Sequence, residues 1–486
     1  RRGPINSPAA MAPYTSIPSD AEETPIRPPN LRRIVVISLA LLAVSAVTFR
    51  VQSNYARDMQ ELIGTSGQDP STEKVIYGTK SRKKIQKLWK EFTLRYSKKY
   101  RSKKEEQDRF QIFKKNLQFI DNLNFANPNA VFTITDRTDW TDSEMARMRG
   151  LRSGYLAADS NKTSLEIMKE DFASISDSHK NSVQLAEMGL AEVLKSSEEK
   201  DKFDGSKFSS DEVGWVSVQD CAACALYPHF SNYTMGNLPD SFDWRAIGDV
   251  VTDVKNQKYC GSCWSFSTAQ DIEGKHYFAT GERVRLSEQQ LVACDTKDWG
   301  CDGGYPYRAM QYISQVGGML HEASYPYKGI CAWGACGNEE AGTPTCDSDT
   351  LNTNIKSGNV SAIGGWQMVA MGEDYEDLMR VALVKNGPIS ISLNANGMDY
   401  YVHGVVGCSN DDCNAGAIDV HTPCEPTALD HAVLLVGYGT EDDIPYWLIK
   451  NSWGDLWGED GYYRLVRGSN HCGVANFAIT SVIKAP

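Results

Sequence analysis

The stretch NQKYCGSCWSFS, residues 256–267, places Cys260 and Cys263 three residues apart, with a tryptophan directly after the second. Two cysteines at this spacing suit three interpretations: a redox pair, half of a zinc site, or a structural cysteine beside a nucleophile. A thioredoxin-like pair opens the helix of a βαβ unit, but no such alternation follows here. A zinc ribbon needs a second matched pair, yet Cys294 and Cys301 are seven apart and no paired histidines follow.

The third interpretation is favoured by the segment CGSCW, residues 260–264, which matches the pattern C-G-[SA]-C-[WY] at every position. That pattern surrounds a nucleophilic cysteine and predicts a histidine and an asparagine roughly 130 to 150 residues downstream. The chain supplies LDHAVLLVGYG, which holds His431, and NSWGDLWGEDGY, which holds Asn451. Both lie further from the motif than the pattern predicts, and two cysteine-bearing insertions, residues 331–346 and 408–421, explain the excess.

On these motifs, residues 238–486 resemble a papain-type cysteine peptidase, nearer to cathepsin L than to cathepsin B. The resemblance covers about half of the chain and implies the α+β class. The expected architecture is a papain-like two-lobed fold, with a helical left lobe and an antiparallel, β-barrel-like right lobe, preceded by a helical propeptide. It implies that Cys263 and His431 react as a thiolate and imidazolium pair, with Asn451 orienting the imidazole. Gln257 and the backbone N–H of Cys263 would form the oxyanion hole.

The chemistry of a thiol nucleophile explains why these residue types occur together. Only the thiolate attacks a peptide carbonyl, whereas free cysteine is mostly protonated at neutral pH. Cys263 begins a predicted helix, residues 263–278, and both the helix dipole and an imidazolium stabilise a thiolate there. His431 would then give its proton to the leaving amine. A single cysteine or histidine is more often structural, so it is their combination in matching local motifs that favours catalysis.

The resemblance also implies where a substrate binds. The segment CDGGYP, residues 301–306, resembles the glycine wall that forms backbone hydrogen bonds with an extended substrate. The substrate side chain two residues before the cut would enter a pocket with Phe477 at its floor, or Asn476 if the alignment slips by one residue. The predicted substrate-binding residues are Gly303, Gly304, Tyr305, Pro306, Leu429, Asp430, Trp453 and Phe477.

Eleven of the thirteen cysteines lie from Cys260 onward, and none precedes Cys221. Eleven is an odd number, so full pairing leaves one thiol over. By resemblance that thiol is Cys263, and Cys221 and Cys224 are unassigned. The resemblance implies disulfides Cys260–Cys301 and Cys424–Cys472, and pairing of Cys294 with one of Cys331, Cys336 and Cys346 while the other two pair together. Cys408 and Cys413 could close the second insertion on themselves.

A second, independent pattern lies in residues 80–124, which predict one or two long helices. Six of these residues recur at steps of three or four and share one helical face. Without the resemblance they indicate an amphipathic helix with a mixed stripe. With it, their types match the propeptide helix of cathepsin L-like zymogens, whereas Thr138, Trp140 and Asp142 match a second propeptide motif only in part. The six residues are Glu105, Arg109, Phe113, Asn116, Ile120 and Asn124.

The chain divides into four predicted segments. Residues 1–33 indicate a disordered tail, and residues 34–51 a signal anchor or a cleaved signal peptide, with the anchor favoured. Residues 52–237 would form an inhibitory propeptide with a long, loosely structured linker over 146–237 and a helix near 182–195. Residues 238–486 would form the peptidase domain, released by acid-driven maturation near 237–240.

Either leader directs the remaining chain into the secretory pathway, with a lysosome, a vacuole or the extracellular space as its destination. If residues 34–51 are not cleaved, they would anchor the chain in a membrane. The cysteine density and sequons at Asn161, Asn232 and Asn359 agree with that route. Protein and peptide substrates and the chain's own propeptide are the expected partners, with cystatin-type inhibitors as candidates. No cofactor and no metal are expected.

Charge is distributed unequally along the chain. The formal net charge is −12, but residues 238–486 carry 32 acidic and 16 basic side chains, which leaves residues 1–237 net positive. A solvated acidic surface is the simpler explanation; the alternative is that the basic half docks on the acidic half. No nucleic-acid motif accompanies the scattered basic residues, so no nucleic-acid partner is expected. The competing function is a catalytically silent papain-fold binding protein, which would be expected to have lost Cys263, His431 or Gln257.

Overall fold

The N-terminal helices begin at serines that cap them. A computed structural model describes residues 74–151, 162–173, 235–329, 344–407 and 424–483. In it, Ser81 and Ser102 accept hydrogen bonds from backbone N–H groups in the first turns of α1 (Arg82–Arg95) and α2 (Lys103–Ala126). The prediction of long helices over residues 80–124 is therefore confirmed. A capping box at Thr141 starts α3 (Asp142–Arg149).

The polar residues of the α2 stripe hold the segment that follows the helix. Asn116 is buried, and its Nδ2 donates to the carbonyl oxygens of Thr138 at 2.9 Å and Trp140 at 2.8 Å. Asn124 exchanges two hydrogen bonds with the backbone of Phe132. The stripe is thus more than an amphipathic face, because its amides pair backbone groups that would otherwise be buried without partners.

We expect Asn116→Ala to lower the free energy of unfolding of the full chain by about 1 to 3 kcal/mol, because two carbonyl groups lose their donor. Urea denaturation followed by circular dichroism measures the change. Gln118→Ala, at an exposed position of the same helix, is the matched control and should cost little. Equal losses in the two variants would contradict a structural role for the Asn116 amide.

A strand from the first half of the chain extends the sheet of the second half. Strand β1 (Ala130–Phe132) pairs antiparallel with β7 (Tyr401–Val406). At the contact, Gly404 has φ +93°, and a Cβ there would lie 2.1 Å from the Asn129 carbonyl oxygen. Only glycine permits this approach of the two backbones.

The second half is helical first and mainly strand afterwards, as predicted. The largest sheet has the order β1-β7-β10-β9-β8-β6-β11-β5, with β2 paired to β8. Its pairs are antiparallel except for β7 and β10. Helix α5 packs against β8 and is buried along most of its length. Among the described residues, α4 (Ser164–Ala173) precedes this half. The α-helices of the half are α5 (Cys263–Thr280), α6 (Glu288–Cys294), α7 (Pro306–Val316), α8 (Ser348–Ser357) and α9 (Glu376–Asn386). Its strands, besides β7, are β2 (Phe242–Asp243), β3 (Met319–Leu320), β4 (Val360–Ser361), β5 (Ile363–Ala370), β6 (Ile389–Leu393), β8 (His431–Glu441), β9 (Ile444–Lys450), β10 (Tyr462–Val466) and β11 (Ala478–Ile483).

The prediction of a loosely structured linker from residue 146 is wrong for its first part. Residues 146–149 complete α3, and α4 buries Leu165 and Met168 in the same apolar cluster as Leu151. The polar composition of this stretch concealed the short apolar spacing of α4. The helix predicted near 182–195 lies outside the described residues, as does the 34–51 segment. Within the described ranges no helix is long and apolar enough to cross a membrane.

Candidate active site

Cys263 is the first residue of α5 and is completely buried. The loop before it is held by a disulfide between Cys260 and Cys301, and the Gly261 N–H donates to the Cys301 carbonyl at 3.0 Å. Among the described cysteines, Cys263 carries the free thiol. The Cys263 thiol is therefore presented at the positive, N-terminal end of α5.

His431 and Asn451 meet at the ends of two paired strands. His431 is the first residue of β8, and Asn451 follows the last residue of β9. His431 Nε2 lies 2.8 Å from Asn451 Oδ1, which also accepts the Ser452 N–H at 2.8 Å. The ring of Trp453 stacks on the imidazole with centroids 4.9 Å apart. The imidazole is thus oriented by an amide and covered from solvent.

Gln257 is fixed from both ends of its amide. Its Oε1 accepts from Ser452 Oγ at 2.7 Å, and its Nε2 donates to the Cys260 carbonyl at 2.9 Å. The same Nε2 donates to the Met148 carbonyl at 2.6 Å. A fixed amide donor therefore contacts a backbone carbonyl of residues 148–151, as an oxyanion-hole donor would contact a substrate carbonyl.

The main chain of residues 148–151 occupies the space between these groups. The Arg149 carbonyl oxygen contacts Cys263 Sγ and lies 3.1 Å from His431 Nδ1. The Gly304 N–H donates to the Gly150 carbonyl at 3.0 Å, and the Leu151 N–H donates to the Asp430 carbonyl at 3.0 Å. The cleft segment, residues 148–151, thus makes backbone contacts of the kind a peptide substrate needs.

Leu151 shares an apolar cluster with three of the residues predicted to line the Phe477 pocket. Leu151, Tyr305, Leu429 and Phe477 are buried in one apolar cluster, and Pro306 begins α7 beside it. The alternative floor residue, Asn476, instead donates to the Pro426 carbonyl and accepts from Asn470. The Gly303 carbonyl accepts the Trp299 N–H within its own loop, so the contact with the cleft segment comes from Gly304.

Residues 238–482 match the family described as papain family cysteine protease, which is half of the chain. The chain belongs to the papain family of cysteine proteases. Residues 89–145 match the cathepsin propeptide inhibitor domain, I29. The α+β papain-like fold and the helical propeptide predicted from the sequence are confirmed.

Curated proteins and solved structures are similar to this papain-family chain over half of its length or more. It is 33% identical to cathepsin F of Drosophila melanogaster, over 82% of this chain and 51% of that protein. It is 39% identical to cysteine proteinase 1 of Dictyostelium discoideum, over 51% of this chain and 67% of that protein. The match thus spans about half to two thirds of these two relatives. Among solved structures, digestive procathepsin L2 of Tenebrio molitor superposes with a TM-score of 0.55 and 28% identity, covering 82% of this chain and 100% of that one.

Burial sets the protonation of the cysteine and histidine in this papain-family site. Burial raises the pKa of the Cys263 thiol well above its ordinary value and lowers the pKa of the His431 imidazole. With the cleft filled, both groups are held uncharged. The thiolate and imidazolium pair therefore needs the cleft to be opened to water.

An ionic network that the sequence did not predict ties the propeptide to the protease domain. Arg149 Nη2 lies 2.8 Å from Asp399, and its Nη1 lies 2.8 Å from Asp430. Arg137 pairs with Asp399 at 3.0 Å and lies over the ring of Trp453, 4.3 Å from its centroid. These contacts support docking of the basic half on the acidic half.

Three further functional positions escaped the sequence analysis: Ser452, Asp399 and the cleft segment itself. Ser452 lies inside the recognised NSW motif, but its role depends on a neighbour 195 positions away. The cleft segment carried one usable signal, the capping box at Thr141 followed by Gly150, which marks a helix that ends at residue 149.

Two more disulfides complete the described cysteines. Cys294 pairs with Cys346, which selects one of the three partners left open by the sequence, and Cys424 pairs with Cys472. Cys221, Cys224, Cys331, Cys336, Cys408 and Cys413 lie outside the described residues.

Proposed function

We propose that this chain is the zymogen of a cysteine endopeptidase, with residues 238–486 as the enzyme and residues 52–237 as its inhibitory propeptide. The observation that carries the proposal is the position of the cleft segment. Its Arg149 carbonyl contacts Cys263 and lies beside His431, while Gln257 binds the preceding carbonyl. Two consecutive carbonyls of the cleft segment therefore lie at the proposed oxyanion-hole donor and at the thiol, the groups that a scissile peptide bond would have to meet.

The proposed reaction uses each group once the propeptide has left. The Cys263 thiolate attacks the substrate carbonyl carbon, and the oxyanion accepts hydrogen bonds from Gln257 Nε2 and the Cys263 N–H. The His431 imidazolium donates its proton to the leaving amine, and the C–N bond breaks. Neutral His431 then deprotonates a water that attacks the thioester carbonyl, the C–S bond breaks, the carboxylic acid product leaves, and the Cys263 thiolate and His431 imidazolium are restored. Asn451 keeps the imidazole in the plane that both proton transfers require.

Chain direction explains why the propeptide is not cut in place. In a substrate, the residue two positions before the cut is N-terminal to the scissile bond and enters the Phe477 pocket. In the propeptide, Leu151 enters that cluster but is C-terminal to Arg149. Leu151 also forms a parallel bridge with Gly304. The cleft segment therefore runs in the direction opposite to a substrate. In this direction, the amide nitrogen that follows the Arg149 carbonyl would lie away from the side where His431 protonates the leaving amine of a substrate.

Endopeptidase action is proposed from the sequence. An exopeptidase of this family blocks its cleft with a loop whose histidines hold the substrate terminus, but the insertion at 331–346 contains no histidine. His421 in the second insertion is the remaining candidate for such a role, and it lies outside the described residues.

Acid should release the propeptide. Burial acts to raise the pKa of Asp399, but the charges of Arg149 and Arg137 outweigh it and hold that pKa below its ordinary value. Within the propeptide, burial likewise acts to raise the pKa of Glu144, yet hydrogen bonds from Arg109 lower it to about 2, so this pair stabilises the fold of the propeptide and not its docking. A carboxylate with a lowered pKa stabilises the docked form above its undocked pKa and loses that contribution as pH falls through the docked value. The contribution of the Asp399 ion pairs to docking therefore declines below about pH 4.

His431 acts in the same direction. Because burial lowers its pKa in the zymogen, the released form binds the proton more readily below about pH 6.5. We expect the full-length chain to persist at pH 7.5 and to shorten at pH 4 at least about tenfold faster, with a new N terminus near residues 237–240. Asn237 and Asp240 in this stretch are exposed. Gel analysis with N-terminal sequencing measures both.

Labelling distinguishes an enzyme from a silent binding protein. After incubation at pH 4, an epoxysuccinyl probe should label the shortened chain, and Cys263→Ala, matured by added protease, should stay unlabelled. A shortened wild-type chain that takes no label would establish the binding protein instead. A full-length chain with full activity at pH 7.5 would refute the inhibitory role of the propeptide.

The Phe477 pocket should select apolar side chains two residues before the cut. A buried guanidinium without a partner costs several kcal/mol, so a leucine substrate should exceed its arginine counterpart by about a hundredfold in kcat/KM. Paired fluorogenic substrates that differ only at this residue provide the measurement. Phe477→Glu should reduce the ratio of kcat/KM for the leucine substrate to kcat/KM for the arginine substrate. Equal turnover of the two substrates by the wild-type enzyme would show that Phe477 does not close the pocket.

We also propose a secretory route, with a lysosome, vacuole or the extracellular space as destination. Three described disulfides suit an oxidising compartment. Asn359, in one of the sequons, is exposed and so accessible to glycosylation. Membrane anchoring through residues 34–51 and inhibition by cystatin-type proteins stay proposals from the sequence.

A further inference from the structure

We propose that Asp399 and Asp430 form a subsite for the cationic side chain of the substrate residue directly after the cut bond. The matured protease would then prefer arginine or lysine at that position. This inference rests on the proposed peptidase function and adds a substrate class to it.

A cationic side chain already fills this subsite in the zymogen. Both terminal nitrogens of the Arg149 guanidinium lie 2.8 Å from a carboxylate oxygen, one from Asp399 and the other from Asp430. The Arg149 side chain is 8% exposed, so water competes little for these contacts. Because the carbonyl of the same residue contacts Cys263, the subsite lies within one side chain's reach of the nucleophile.

The subsite lies on the leaving-group side of the cleft. The other side holds Gly304 and the apolar pocket with Leu151, where residues before the cut would bind. Arg137 joins Asp399 to the face of Trp453, the ring that covers His431. Asp399 is thus linked to the tryptophan through Arg137, whereas the glycine wall contacts the cleft segment at Gly150.

Removal of the propeptide leaves this acidic pair without its cations. In the ranges that the structure describes, both ion pairs of Asp399 are made by propeptide arginines, Arg137 and Arg149. Asp430 keeps one neutral donor, the Ala395 N–H at 2.8 Å, which orients its carboxylate without neutralising it. A carboxylate in a cleft without a counter-charge is unfavourable, so a substrate cation that restores the pair should bind better than a neutral side chain of similar shape.

Quenched fluorescent peptides test the proposal on the acid-matured enzyme. All carry leucine two residues before the cut and differ only in the residue after it: arginine, citrulline or glutamate. We expect kcat/KM for the arginine peptide to exceed that for the citrulline peptide by about ten- to a hundredfold, with glutamate lowest. Mass spectrometry verifies that each peptide is cut at the same bond. Asp399→Asn should reduce the ratio of arginine to citrulline several-fold.

A second measurement needs no variant, since Asp399→Asn could impair folding of the zymogen. The acyl-enzyme of wild-type protease partitions between water and an added amine, and argininamide should capture it at least about tenfold better than citrullinamide. Equal capture, or an arginine to citrulline ratio near one in the peptides, would overturn the subsite while leaving the peptidase intact. Failure to cut any peptide would instead overturn the proposed function.

Discussion

Cys263→Ala is expected to lower kcat/KM of the matured enzyme by about five to six orders of magnitude. Every proposed step after binding passes through the Cys263 sulfur, and loss of a covalent nucleophile removes that whole route. Because the side chain is buried and makes its described contacts with the propeptide carbonyl and the Ala432 N–H, alanine should leave the fold intact. Hydrolysis of a leucine-containing fluorogenic peptide, by a variant matured with added protease, provides the measurement.

The position of Asn451 supplies the control for this effect. Asn451→Ala alone should lower kcat/KM about a hundredfold, because the imidazole loses its orienting partner. In a Cys263→Ala background the same substitution should not lower kcat/KM further, since the effects of residues that act as one unit are not additive. Additive losses would show that the two residues act independently and would count against a shared mechanism.

Gly150→Ala is expected to abolish most of the latency of the zymogen. Gly150 has φ +68°, and a Cβ there would lie 2.2 Å from the carbonyl carbon of Gly261, in the loop that precedes the nucleophile. The left-handed conformation alone costs a non-glycine residue about 1 to 3 kcal/mol, and the backbone overlap forces the cleft segment outward. We expect the full-length chain at pH 7.5 to react with the epoxysuccinyl probe about a hundredfold faster than the wild-type zymogen.

Gly281→Ala separates steric overlap from backbone strain. Gly281 also follows a helix, has φ +72°, and a Cβ there meets nothing within 4 Å. This variant bears the same conformational cost outside the cleft, so its labelling rate should stay within about threefold of wild type. If both variants become reactive together, general destabilisation would explain the result, and the contact between Gly150 and Gly261 would not.

The sequence predicted the parts of the site that lie in local motifs. Cys263 and Asn451 could be located because each lies in a short stretch whose neighbours share the same task, and His431 because its strand is strongly patterned. The long helices followed from periodicity and serine caps. Each of these features depends on residues within a few positions of one another.

The contacts of the propeptide could not be predicted in this way. Arg149 and Asp399 are 250 positions apart, and neither lies in a pattern that indicates a partner. The charge difference between the halves suggested docking but not which residues meet, because a net charge contains no geometry. Strand β1 is three residues long, too short for an alternating pattern, and gains its conformation from the edge of β7.

The filling of the cleft by residues 148–151 couples inhibition of the zymogen to the substrate preference of the proposed enzyme. Leu151 lies in the apolar cluster of the proposed pocket, and Arg149 pairs with the acidic residues. A substitution that changes substrate preference at either place would therefore also change the affinity of the propeptide for the cleft. A substitution confined to the cleft that changed the proposed substrate preference would also weaken inhibition by the propeptide, and the precursor would then be active before maturation. We therefore expect selection to act on enzyme and propeptide as a single heritable unit, with changes in one compensated in the other.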